Sequence, residues 1–269
     1  MKYVFITLAV IAFIFLLSVF ITSRFNKKRR LSKAGKIIIT AFFSIVFTLV
    51  TCLAYFNLYF RAESLVDDFL VSSETVTVEK TRDGYFFDGP GETAALIFYP
   101  GAKVEYTAYA PMMYRLAEQG MDCFLVRMPA KLAFFGSNKA SKIIKNNTYE
   151  KWYIAGHSLG ATVAAGYANR NADKLNGLIL LAGYPTRVVK PGLQFLTIYG
   201  TEDGILDRQT YEKNRELWDE TGTEIVINGG NHAQFGNYGT QPGDGIATIS
   251  YESQQDTTIK AILKLLSEE

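Results

Sequence analysis

A serine between two glycines is the first group in the sequence whose setting could support chemistry. Ser158 lies in G-H-S-L-G at residues 156–160, directly after an apolar run and directly before a stretch rich in small residues. This strand–turn–helix setting predicts a sharp turn that exposes the Ser158 hydroxyl as a nucleophile. Gly156 and Gly160 would remove the side chains that clash on such a turn. The alternative is that Ser158 only caps the helix.

An acid and a base follow the serine in the chain order of a Ser–Asp–His triad. Asp203 comes just after the apolar run 193–200, at the edge of a parallel sheet where ligands bind. His232 lies in a glycine-rich loop after the last predicted strand. We expect Asp203 to orient His232, and its neutral imidazole to take the serine proton. Glu202 and Asp207 are alternatives for the acid, although Asp207 is better explained as a helix cap.

The sequence contains only two histidines, so the choice of base is narrow. His157 is adjacent to the proposed nucleophile, and neighbouring side chains diverge on a sharp turn. We therefore expect His157 to shape the turn and His232 to act as the base.

Two backbone N–H groups would stabilise the oxyanion. One is the amide of Leu159, the residue after the serine, and the other comes from the loop Y-P-G-A-K-V-E at residues 99–105. Ala102 is the first candidate in that loop and Lys103 the second. The segment 128–136, M-P-A-K-L-A-F-F-G, either lines a pocket for the acyl or leaving group or packs against a neighbouring helix.

Strand-like and helix-like patterns alternate over residues 75–269, after a connector at 61–74. This alternation predicts an α/β fold with a mostly parallel sheet flanked by helices. The predicted strands 177–183 and 193–200 are separated by only nine residues. Because a crossover helix needs about a dozen residues or more, we expect no lid domain there and an open, shallow site.

These motifs, together with G-T-E-D-G and G-G-N-H-A-Q-F-G-N-Y-G, resemble the α/β-hydrolase superfamily. More narrowly, the chain looks like the dienelactone-hydrolase-like branch known as α/β hydrolase fold 5. The resemblance covers about residues 75–269 and implies Ser158 as nucleophile, Asp203 as acid and His232 as base. The chain has serine where dienelactone hydrolases use cysteine, and its oxyanion loop lacks the H-G-G of many lipases. The resemblance therefore does not indicate a substrate.

The first 60 residues have a different composition from the rest of the chain. They contain eight of the 28 Lys and Arg residues and no Asp or Glu, so the remainder is net acidic. The stretches 3–22 and 37–60 carry no charge, and each is long enough to form a transmembrane helix. Seven basic residues lie between them, at 23–36. The positive-inside rule places this loop in the cytoplasm. Both ends of the helix pair, and with them the hydrolase domain, would then lie on the other side of the membrane.

The basic residues serve topology in this interpretation, so the pI of about 8.3 does not indicate nucleic-acid binding. A cleaved signal peptide is the alternative for the first stretch, but its charges follow the apolar run and no A-x-A-like site is present.

Cys52 and Cys123 fall in separate apolar segments, which predicts no disulfide. No Cys/His spacing suggests a metal site, and no cofactor is expected.

The sequence thus predicts a multi-pass protein of the cell membrane with a serine hydrolase domain outside the cytoplasm. Its partners would be the membrane and a small-molecule or lipid-like ester, thioester or amide. Two alternatives remain open. An acyltransferase would use the same triad, and a membrane-tethered binding domain would keep the fold without catalysis.

Overall fold

The structure is a computed structural model that describes residues 2–219 and 221–267. The chain divides after Leu58 into two units.

The N-terminal unit is a pair of long helices, α1 (Lys2–Arg29) and α2 (Lys33–Asn57). They lie side by side, with a hydrogen bond between the hydroxyls of Thr22 and Thr40 (2.9 Å). The stretches Ala9–Arg29 and Lys33–Tyr55 are long and apolar enough to cross a membrane, with mean hydropathy 1.9 and 2.5.

The helix bounds differ from the predicted ones at the basic loop. The loop was predicted at 23–36, but residues 23–29 form the last turns of α1 and residues 33–36 form the first turn of α2. Lys and Arg are good helix formers, and positive charge at a helix C-terminus interacts favourably with the helix dipole. At its other end, α2 stops at Asn57, short of the predicted residue 60.

The second unit, from Tyr59 onward, contains one sheet in the order β1-β2-β4-β3-β5-β6-β7-β8. Pairs β1–β2 and β2–β4 are antiparallel, and all the other pairs are parallel. The strands are β1 Thr77–Thr81, β2 Gly84–Asp88, β3 Ala94–Tyr99, β4 Met121–Val126, β5 Lys151–His157, β6 Gly177–Leu181, β7 Gln194–Gly200 and β8 Thr223–Ile227. The predicted mostly parallel sheet is confirmed.

Strand β2 was not predicted, because the turn signals D-G and P-G around it suggested a loop. The turn at Arg82–Asp83 joins β1 to β2, and the aromatic residues after it form the strand. Phe86 stacks on Phe124 of β4 with ring centroids 4.5 Å apart, while Phe87 is fully buried. Aromatic cross-strand packing of this kind outweighs the local turn preference.

Helices cover both faces of the sheet. They are α3 Ala110–Ala117, α4 Lys139–Asn146, α5 Leu159–Arg170, α6 Arg208–Asn214 and α7 Tyr251–Ser267. In the central strand β3, Leu96 and Phe98 pack into the core shared with α3 and α7, whereas Ile97 packs into the core shared with α4 and α5. Each such fully buried side chain contributes about 1.5–3 kcal/mol.

The link between β6 and β7 bears directly on access to the site. Residues 182–193, all of which the structure describes, contain no helix, and the two strands are adjacent and parallel. No domain is inserted at this point of the sheet edge, as the short spacing predicted.

Candidate active site

Ser158 lies on a strained turn between β5 and α5. Its backbone has φ 55° and ψ −121°, a conformation that a residue with a side chain rarely adopts and that costs about 1–3 kcal/mol. Its amide donates to the Leu181 carbonyl of β6 (2.9 Å). The side chain makes no capping hydrogen bond to α5. The simple helix-cap interpretation therefore does not describe Ser158.

The two flanking glycines are required by close backbone approach. A Cβ on Gly156 would lie 2.4 Å from the Gly160 carbonyl carbon, and a Cβ on Gly160 would lie 2.1 Å from the Tyr99 carbonyl oxygen. Backbone atoms at these distances cannot move aside cheaply. The sequence-based expectation for both glycines is confirmed.

Asp203 follows β7 and has a completely buried carboxylate. Its Oδ1 accepts the amides of Ile205 (2.9 Å) and Leu206 (2.8 Å), and its Oδ2 contacts Nδ1 of His232 (2.9 Å). The alternative acids are engaged elsewhere. Asp207 caps α6 through the Thr210 amide (3.0 Å), and Glu202 is exposed.

The contact with Asp203 fixes the tautomer of His232. A carboxylate accepts and does not donate, so the neutral form of the His232 imidazole carries its proton on Nδ1 and has its lone pair on Nε2. His232 is 2 % exposed, and it lines a cavity of about 260 Å³ together with Ser158, Leu159 and Leu206. The structure thus brings Asp203 and His232 into direct contact and places His232 beside the same cavity as Ser158.

The other histidine is held by a different set of bonds. The Gly101 amide donates to the hydroxyl of Tyr109 (3.1 Å), which leaves the Tyr109 proton free to donate to Nδ1 of His157 (2.8 Å). Nε2 of His157 has no hydrogen-bond partner of good geometry among the described residues. Neither ring nitrogen of His157 is bonded to Ser158.

His157 stays uncharged near neutral pH. Burial lowers its pKa well below the usual value, and the neighbouring His232, with ring centroids 4.5 Å apart, lowers it further. The backbone of His232 opposes this shift only in part. The pair formed by Tyr109 and His157 was not foreseen, because a tyrosine in a helix-like stretch is ordinarily a core residue.

We expect Tyr109→Phe to destabilise the protein by about 1–3 kcal/mol, since it leaves the Gly101 amide and His157 Nδ1 buried without partners. Chemical unfolding of the detergent-solubilised chain measures the loss. Tyr167→Phe is the matched control, because the Tyr167 hydroxyl bonds the Ser141 hydroxyl (2.9 Å), which can rotate to another partner. Equal losses in the two variants would contradict this role of Tyr109.

The loop after β3 offers few free amides. The Gly101 amide is bonded to Tyr109, and the Lys103 amide donates to the Lys131 carbonyl (2.8 Å). The Ala102 amide between them has no hydrogen-bond partner among the described residues. Of the two candidate amides, only that of Lys103 is therefore already bonded to another group of the described residues. Leu159 supplies the first amide of α5.

The first four residues of the segment 128–136 line a different cavity, whereas Ala133 packs in the core with Ala140 of α4. Met128 and Lys131 face a space of about 310 Å³ with Pro100 and Val104, and this cavity shares no lining residue with the one at Ser158. Phe134 and Phe135 are each 62 % exposed. The larger cavity is thus not the one that holds Ser158 and His232. Among the described residues, no group of three or more His, Cys, Asp or Glu side chains could hold a metal ion.

The fold is a mostly parallel sheet with Ser158 at a strand-to-helix turn. An acid and a histidine follow on later loops, and this arrangement is typical of the alpha/beta hydrolases. The model of the alpha/beta hydrolase family matches residues 95–256, more than half of the chain, and the chain belongs to this family. The resemblance found in the sequence is confirmed.

Solved structures agree with this assignment at low sequence identity. A predicted CIB-like hydrolase from Thermoplasma acidophilum has a TM-score of 0.54 at 10 % identity, covering 70 % of this chain and 99 % of its own. A putative hydrolase from Agrobacterium vitis has a TM-score of 0.54 at 12 % identity, with 71 % and 98 % covered. A dienelactone hydrolase from Anabaena variabilis has a TM-score of 0.50 at 13 % identity, covering 73 % of this chain and 97 % of its own. These similarities show the fold alone. No curated protein matches the chain.

Proposed function

We propose that the protein is a membrane-anchored serine hydrolase that cleaves an ester, thioester or amide through an acyl-enzyme. One observation carries the proposal. The imidazole of His232, held through Nδ1 by the buried Asp203, lines the same cavity as Ser158, which sits on a strained turn. Backbone strain of this kind concentrates at functional sites, and His232 has the tautomer of a general base.

In the proposed reaction, Oγ of Ser158 attacks the substrate carbonyl while Nε2 of His232 takes the hydroxyl proton. The carbonyl oxygen becomes negative and accepts hydrogen bonds from the amides of Leu159 and Ala102. Collapse breaks the bond to the leaving group, which receives the proton from His232. Water then attacks the acyl-enzyme while His232 takes one of its protons. Collapse breaks the bond to Oγ, which receives that proton from His232, and the acid is released with Ser158 and neutral His232 regenerated.

The cavity favours a short acyl group. Its volume of about 260 Å³ is just below the range of roughly 300–1,000 Å³ that ligand sites commonly span. The apolar side chains of Leu159, Ile205 and Leu206 line it, and Thr162 adds a hydroxyl. Short-chain esters, such as the acetate and butyrate of p-nitrophenol, are therefore the first substrates to assay.

A fluorophosphonate probe tests the proposal directly, because it reacts with an activated serine. We expect the full chain in membranes to be labelled, and heat-denatured protein to remain unlabelled. Absence of labelling in folded wild-type protein would overturn the proposal. Transfer of the acyl group to an added alcohol in preference to water would instead identify an acyltransferase.

The helices α1 and α2 would anchor the protein in the cell membrane, with the hydrolase domain outside the cytoplasm. Their length and hydropathy support the spans, and the basic residues at and near the adjoining ends of the two helices support the orientation. In a Cys52→Ser background, we expect an impermeant maleimide to label Ser253→Cys on intact cells, because Ser253 is exposed and Cys123 is buried.

The matched control for topology is Ala34→Cys, at an exposed position in the first turn of α2. This cysteine is expected to react only after lysis. The reverse pattern, with Ser253→Cys protected until lysis, would place the hydrolase domain in the cytoplasm.

A further inference from the structure

One carboxylate outside the proposed triad joins the two loops that carry Asp203 and His232. Asp244 lies in the segment between His232 and α7. Its Oδ1 accepts the amides of Gly204 (3.1 Å), His232 (3.2 Å) and Gly245 (2.9 Å), and its Oδ2 accepts the amide of Ala233 (2.8 Å). Gly204 directly follows Asp203. A single side chain therefore binds the backbone beside the acid and the backbone of the base.

Close backbone packing at the same place supports this connection independently. A Cβ on Gly245 would lie 2.0 Å from the Glu202 carbonyl oxygen, and a Cβ on Gly204 would lie 2.5 Å from the Gly243 carbonyl oxygen. On the other side, the Asn231 side chain donates to the Gly245 carbonyl (2.9 Å). Residues 243–245 thus contact the acid loop and the histidine loop at once.

We propose that Asp244 is a positioning residue that sets the separation of Asp203 and His232, and so aims Nε2 of His232 at Ser158. The inference rests on the proposed function. The 2.9 Å contact between Nδ1 of His232 and Oδ2 of Asp203 joins two separate loops, and the Asp244 side chain binds the backbone of Gly204, next to the acid, and that of His232 itself. A displacement of about 1 Å in a reacting group costs on the order of 10²-fold in rate.

Asp244 acts on the reaction without contacting the substrate. It borders a separate cavity with Gln241 and Tyr251, whereas the cavity at Ser158 is lined by other residues. Its replacement should consequently affect the chemical step more than substrate binding. This split between kcat and KM separates a positioning role from a general loss of the binding surface.

The test variant is Asp244→Asn, which keeps the shape but turns one oxygen into an NH₂ group. That group must face a backbone N–H, so at least one charge-assisted bond is lost. With a p-nitrophenyl ester as substrate, we expect kcat to fall about 10–100-fold while KM changes less than about twofold. The rate of fluorophosphonate labelling should fall with kcat.

The matched control is Asp219→Asn. The Asp219 carboxylate also accepts a loop amide, that of Thr221 (3.0 Å). It precedes β8, however, and so lies near the N-terminal end of that strand, whereas Asp203 and His232 follow the C-terminal ends of theirs. We expect wild-type kinetics from this variant. Unlabelled wild-type protein would refute the proposed function. Labelled wild-type protein with an equally reactive Asp244→Asn variant would refute the role of Asp244 alone.

A second measurement needs no variant and so does not depend on whether Asp244→Asn folds. Hydrogen exchange of the full wild-type chain, followed by mass spectrometry, reports on the amides of Gly204, His232 and Ala233. All three lie outside the strands, yet we expect them to exchange slowly because Asp244 accepts them. Exchange at the rate of an unprotected loop would overturn the proposal.

Discussion

Replacing Ser158 with alanine is expected to lower kcat for short-chain ester hydrolysis by at least about 10⁴-fold. The hydroxyl is the group that forms the acyl-enzyme, and no neighbouring side chain takes its place on the turn. The variant should fold, because the Ser158 side chain makes no capping bond whose loss would weaken α5. Steady-state assays, in which the purified protein releases p-nitrophenol from its esters, measure the effect. Circular dichroism checks that the variant is folded.

Ser253→Ala provides the comparison for a serine that has no part in the reaction. Ser253 is exposed on α7, and its removal should leave kcat within about twofold of wild type, as surface substitutions usually do. If Ser158→Ala retained more than a tenth of the wild-type rate, an acyl-enzyme at Ser158 could not be the main route.

Asp203→Asn is expected to lower kcat by about 10⁴-fold through a change of tautomer. The side-chain oxygen of asparagine must face the amides of Ile205 and Leu206, because both are donors. The NH₂ group then faces Nδ1 of His232, which becomes an acceptor. The imidazole proton moves to Nε2, the nitrogen that must receive the serine proton.

Asp207→Asn is the control for the same chemical change at a neighbouring carboxylate. Asp207 borders the cavity, but its side chain caps α6, and asparagine is an equally good helix cap. We expect near wild-type kcat from this variant. Comparable losses in the two variants would show that Asp203 has no special role, and a loss in Asp207→Asn alone would reassign the acid.

The order of site residues along the chain could be inferred because it depends on local patterns. The glycines around Ser158 report a close approach between β5 and α5, and Asp203 is placed by its position just beyond an apolar strand. The sequence ranks Ala102 ahead of Lys103 as the second oxyanion donor but offers no reason to exclude Lys103. That reason is the bond from the Lys103 amide to the Lys131 carbonyl, which joins loops distant in sequence.

The supporting side chains could not be inferred for the same reason. Tyr109 looks like an ordinary core residue until the fold brings it against Gly101 and His157. Asp244 stands among turn signals, P-G and D-G, that predict a loop and nothing more. Strand β2 was missed because its cross-strand partner Phe124 comes much later in the chain. The roles of Tyr109 and Asp244, and the formation of β2, all depend on contacts between segments that are distant in the sequence.

Mapping the fluorophosphonate adduct tests the central claim most directly. Digestion with trypsin gives a peptide spanning residues 152–170 in which Ser158 is the only serine. Tandem mass spectrometry of protein labelled in membranes should place the adduct on Ser158 at near-stoichiometric yield, and neither Ser158→Ala nor heat-denatured protein should carry it. An adduct on any other residue, or folded wild-type protein without an adduct, would contradict the assignment of Ser158 as the nucleophile.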